Sequence, residues 1–138
     1  MTQENKELLF KDLCARIPYG VIANVNNIFN ARLDTVSWYE EVSVDDGSTI
    51  LYHISEVKPY LFPLSSMTEY QLFEVQEILG KNEIEIEDGF LSIIDSDRNT
   101  ISYLEILALL EWFYKNHFDI NGLIEKGLAI DATGLNIY

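Results

Sequence analysis

The stretch from residue 21 to residue 54 sets the tightest limit on the fold. Val21-Ile22-Ala23-Asn24-Val25, Arg32 to Tyr39, Val42-Ser43-Val44 and Thr49 to Ile54 are rich in β-branched and aromatic residues. Asp45-Asp46-Gly47-Ser48 separates the last two runs. An Asp-Gly pair between β-patterned runs signals a hairpin. The region predicts an antiparallel meander of three to four strands. A second hairpin is predicted over 83–94, where Glu83-Ile84-Glu85-Ile86-Glu87 alternates, Asp88-Gly89 turns, and Phe90-Leu91-Ser92-Ile93-Ile94 follows.

Helical patterns flank these strands. Leu9, Leu13 and Ile17 form a stripe over 4–17, with Phe10 and Cys14 beside it and charges opposite, and Pro18-Tyr19-Gly20 ends it. Cys14 is therefore expected to be a small core residue. The segment Lys58-Pro59-Tyr60-Leu61-Phe62-Pro63 reads as a stiff connector. It leads into a helix whose start carries capping-box spacing at Thr68/Gln71 or Ser66/Glu69 and whose stop is Gly80. Residues 102–116 are helical and apolar on nearly every side, so this helix belongs in the centre of the domain or lends its spare face to another chain. A short helix is expected near 122–126, and the tail 127–138 as an extended edge. Together these give one α+β domain over 1–138: a small antiparallel meander and a second hairpin, packed against three to four helices.

Charge and cysteine content narrow the functional classes. Acidic residues number 23 against 9 basic ones, a net charge of −14. A phosphate backbone or an anionic membrane repels such a surface, so direct nucleic-acid binding is not expected. A single cysteine allows no internal disulfide. The polar N-terminal residues carry no apolar signal core, and no apolar run reaches the roughly 20 residues of a membrane span. A cytoplasmic protein is the expectation.

The most suggestive motif is "DSDRNTISYLE" (95–105). Asp95, Asp97 and Asn99 occupy the first, third and fifth positions of a calcium loop, but Thr100 stands where glycine makes the turn. Glu105 arrives one residue early, about 100° around the following helix. The segment before the loop alternates like a strand, whereas an EF-hand needs a helix. The simpler reading is a polar turn followed by a cap at Ser102. No metal or other cofactor is expected. His117 and Asp119 could give two metal ligands, but no third histidine or cysteine is near them in sequence. A histidine at the end of a helix, held there by the helix dipole, explains His117 more simply. No phosphate-binding glycine loop or nucleophile elbow is present.

Three blocks, "KDLCARIPYGV" (11–21), "SEVKPYLFPLSSMTEYQ" (55–71) and "NHFDINGLIEKGLAID" (116–131), together resemble a family of small uncharacterised proteins from Bacteroides-group gut bacteria and their phages or prophages. Phe62 departs from the basic residue expected there, and the acidic hairpin around 83–100 has no counterpart. The resemblance implies a phage or mobile-element setting and carries no catalytic residue with it.

Two functional classes remain. The favoured one is a non-enzymatic accessory protein that binds another protein, with a basic partner drawn to an acidic face at Glu83, Glu85, Glu87 and Asp88. Homo-oligomerisation stays open. The alternative is a small-ligand binder or enzyme with a site near Tyr60, Ser65, Ser66, His117 and Asp119.

Overall fold

The computed structural model describes residues 1–80, 83–87, 90–94 and 102–138. Over 83–87 and 90–94 it describes the backbone alone, with the side chain of Ile86 added. Helix α1 (Gln3–Arg16) opens the chain. Thr2 caps it by accepting from the Asn5 N–H at 3.1 Å. Strands β1 (Ile22–Val25), β2 (Phe29–Val36), β3 (Glu41–Val44) and β4 (Leu51–His53) follow as an antiparallel meander. The β1–β2 turn uses Asn26 and Asn27 at φ 55° and 58°, left-handed values that asparagine tolerates better than most residues.

The segment expected to be a stiff connector is instead strand β5 (Val57–Leu61). It pairs antiparallel with β1 through Val57, Lys58 and Pro59, and parallel with the late strand β8 (Ile130–Asp131) through Tyr60 and Leu61. Pro59 thus lies where one ladder ends and the other begins, so its missing N–H interrupts neither. The sheet is six-stranded and mixed, in the order β4-β3-β2-β1-β5-β8. This exceeds the three- or four-stranded meander that local patterning predicts, because β5 and β8 are joined only through tertiary pairing.

Helix α2 (Glu69–Ile78) starts at the Thr68/Gln71 capping box. Strands β6 (Glu83–Glu87) and β7 (Phe90–Ile94) pair as the predicted second hairpin. Helix α3 (Tyr103–Lys115) is capped by Ser102, whose hydroxyl accepts from the Glu105 N–H and donates to the Glu105 carboxylate. Among the described residues there are three α-helices. Residues 122–126 form turns, not the expected short helix; the Asp119 carboxylate takes the Leu123 and Ile124 N–H groups there, at 2.8 and 3.0 Å.

Two apolar clusters result. One packs Leu9 and Leu13 of α1 against Val21, Ala23, Val25, Leu33 and Val57 of the sheet, with Leu123 and Leu128. The other gathers Leu64, Val75, Leu79, Leu109, Phe113 and Phe118. The buried face of α1 is Leu9, Asp12, Leu13 and Arg16, which rotates Cys14 out to solvent. Cys14 is therefore not the core residue its neighbours suggested. Arg16 can take a core position because Asp12, one turn earlier, forms a buried ion pair with it.

Candidate functional site

The two clusters meet where β5 runs out. The Phe62 N–H donates to the His117 carbonyl, and the Asp119 N–H returns a bond to the Phe62 carbonyl, each at 2.8 Å. Arg16 Nη2 donates to the Phe118 carbonyl at 2.8 Å, its guanidinium lies 5.0 Å from the Tyr114 ring centroid, and Asn121 Nδ2 donates to Asp12. This buried polar knot fixes the chain reversal after α3.

His117 occupies the left-handed position that ends α3, at φ 63°. Its ring stacks on Tyr138 with centroids 3.6 Å apart and planes 9° apart. The Tyr138 hydroxyl accepts from the Ile22 N–H and donates to the Tyr60 carbonyl. Burial, reinforced by the nearby Arg16 charge, lowers the pKa of His117 to about 4. His117 does stand at the helix end, as its sequence position suggested, but burial favours the neutral ring there. Burial of its phenolic end raises the pKa of Tyr138 to about 12, although the residue as a whole stays 44% exposed.

The stacked pair walls a cleft of about 510 Å³. Its other walls are Phe62, Phe118, the Ser66–Thr68–Gln71 entry to α2, the Lys115–Asn116 end of α3, and Thr133–Gly134. Of the residues read from sequence as a ligand site, the cleft brings together Ser66 and His117. Tyr60 donates from its hydroxyl to Asn30 Oδ1 at 2.9 Å, Ser65 is exposed, and Asp119 caps the 122–124 turn; none of the three lines the cleft. His117 and Asp119 do not form a metal pair, and among the described residues no group of three potential ligands gathers. Glu105 is engaged in the α3 cap. Asp95, Asp97, Asn99 and Asp88, with the side chains of Glu83, Glu85 and Glu87, lie outside the described residues.

Sequence reasoning missed two features. Trp38 and Tyr39, placed in a strand by pattern, stand on the β2–β3 turn at 87% and 84% exposure, where Glu40 takes φ 62°. The second feature is the outer side of α3. Only Leu109 and Phe113 of this helix are buried. Tyr103 and Leu104 face solvent at 73% and 75% exposure, and Leu107 and Leu110 are partly covered at 43% and 37%. On α2, Tyr70 and Phe73 are likewise exposed, opposite the buried Val75. Apolar residues on both sides of α3 were legible in sequence; which side stays bare was not. The central placement of α3 is thereby corrected.

No family model matches the chain, and neither a curated protein nor a solved structure is detectably similar to it. Among the described residues no helix is long and apolar enough to cross a membrane.

Proposed function

We propose that this protein acts by binding another protein, and that the outward stripe of α3 is where the partner docks. One observation carries the reading. Tyr103, Leu107 and Leu110 recur at i, i+4 and i+7 with Leu104 beside them, the spacing that meets an amphipathic helix, yet all are exposed. Soluble monomers seldom leave such a stripe bare.

Charge selects the partner's chemistry. Helix α2 carries Glu69, Glu74 and Glu77 with no base, and α3 carries Glu105 and Glu111 against Lys115 alone. An apolar stripe among acids suits an amphipathic segment with basic flanks, and the net charge of −14 speeds its approach. The mobile-element setting implied by the three sequence blocks is compatible with an accessory role of this kind.

The test uses a fluorescein-labelled Leu/Lys amphipathic peptide of about four turns, with its Leu/Glu counterpart as control. Saturable anisotropy binding of the basic peptide alone is expected. It should weaken at least about tenfold when Leu104, Leu107 and Leu110 become serine, and fall with added salt. Equal binding of both peptides, or no effect of the serines, overturns the reading. So does self-association through the same face in sedimentation, which would make a second copy the occupant.

A further inference from the structure

The geometry points to a second, separate site: the cleft beside His117 binds a small aromatic carboxylate. Its volume of about 510 Å³ falls in the range of small-molecule pockets. Phe62, His117, Phe118 and Tyr138 give one side of its wall aromatic surface. The stacked His117–Tyr138 pair adjoins Phe62, whose ring centroid is 6.0 Å from both Tyr138 and Phe118. The Tyr138 hydroxyl is already spent on Tyr60 and Ile22, so this wall offers a ligand aromatic faces and edges, to which a planar ring is the complement.

The polar groups on the rim select the other end of the ligand. Among the described residues that line the cleft, Lys115 is the one that carries a formal charge. Among the described residues it has no carboxylate partner. Its ammonium is therefore free to meet an anion. Around it, Thr68 and Asn116 each keep hydrogen-bonding capacity. Thr68 accepts from the Gln71 N–H and retains its O–H, and Asn116 uses Nδ2 on the Trp112 carbonyl and retains Oδ1. A ligand with an aromatic body and one carboxylate matches this arrangement. A cationic ligand would face Lys115 and is disfavoured.

The probes are 2-naphthoate and its neutral isostere 2-naphthamide, titrated into the full chain and followed by amide nuclear magnetic resonance. Naphthoate should shift the amides of 62–71, 115–118 and 133–138 saturably. The amide should bind about three- to fivefold more weakly, the worth of one exposed ion pair. The exposed substitution Lys115→Gln should remove that preference while leaving the fold intact, and His117→Ala should weaken both probes. Serines at Leu104, Leu107 and Leu110 should change nothing here, which separates this site from the α3 face. No saturable shift, equal affinity for the two probes, or shifts confined to α3 would overturn the assignment.

Discussion

Replacing Asp12 by alanine should be among the most damaging single substitutions available in α1. Asp12 and Arg16 are 1% and 0% exposed. The carboxylate receives Arg16 Nε and Nη2 and also Asn121 Nδ2. Removing it strands a guanidinium in the interior with the Phe118 carbonyl and the Tyr114 ring as its remaining partners. Breaking a buried pair in this way costs about 3–5 kcal/mol. With a urea m-value of about 2 kcal/mol per molar, the unfolding midpoint should fall by roughly 2 M. Circular dichroism in urea at neutral pH measures it. Arg16→Met should cost a comparable amount. The double variant should cost far less than the sum, because neither charge is then left alone, giving a coupling of about 2 kcal/mol or more. Asp12→Asn, which keeps an acceptor for Arg16, provides an intermediate case should the alanine variant not fold. A loss below about 1 kcal/mol for Asp12→Ala, or singles that add within about 0.5 kcal/mol, would refute the claim that the pair is a buried, mutually dependent unit.

Two further outcomes follow from the same geometry. The folded-state pKa of His117, about 4, lies below its ordinary 6.5, so the unfolded chain binds the extra proton first on acidification. Its contribution to stability is complete above pH 6.5 and is lost as pH falls from there towards 4. His117→Asn, which tolerates the left-handed backbone, should flatten the acid limb of stability between those values; an unchanged limb refutes the burial of the ring. On α3, Leu109→Ala should cost about 2–5 kcal/mol and Leu107→Ala about 0.5 kcal/mol or less, since only the first is buried. Equal costs in thermal or urea melts would mean that the helix does not turn Leu109 inward and Leu107 outward.

Much of the architecture is written locally. The Thr68/Gln71 box, the Ser102 cap and the Asp-Gly between β3 and β4 each satisfy backbone groups within a few residues, so pattern alone places them. What pattern could not place depends on distant partners. Strand β8 is two residues long and exists only because β5 offers a parallel edge. Pro59 belonged to a segment that reads as a stiff connector, and it sits in a strand where pairing passes from β1 to β8. Arg16 looked like a solvent residue because an arginine is buried only with a partner. That partner was one turn away, but nothing local showed that both faced inward. Of the candidate site, Ser66 and His117 were legible as polar residues near element ends. The stacking partner Tyr138 is 21 positions from His117 and no periodicity links them.

Helix α3 is where local and global demands disagree, and that disagreement is informative. Its sequence asks for burial on nearly every side, yet the domain covers only the side of Leu109 and Phe113. Burying the opposite stripe would have required further sheet or helix surface, and the second apolar cluster is already closed by Val75, Leu79 and Phe118. Retaining Leu104, Leu107 and Leu110 at this exposure forgoes about 25 cal/mol for each Å² that stays in water. Natural sequences depart from this consistency chiefly where function requires it. The proposed partner, by covering the stripe, would recover the forgone burial. The cleft at His117 involves no such conflict, since each of its aromatic walls also serves packing or a hydrogen bond. Substitutions on α3 should therefore separate binding from stability, whereas substitutions of the cleft's rings should disturb both.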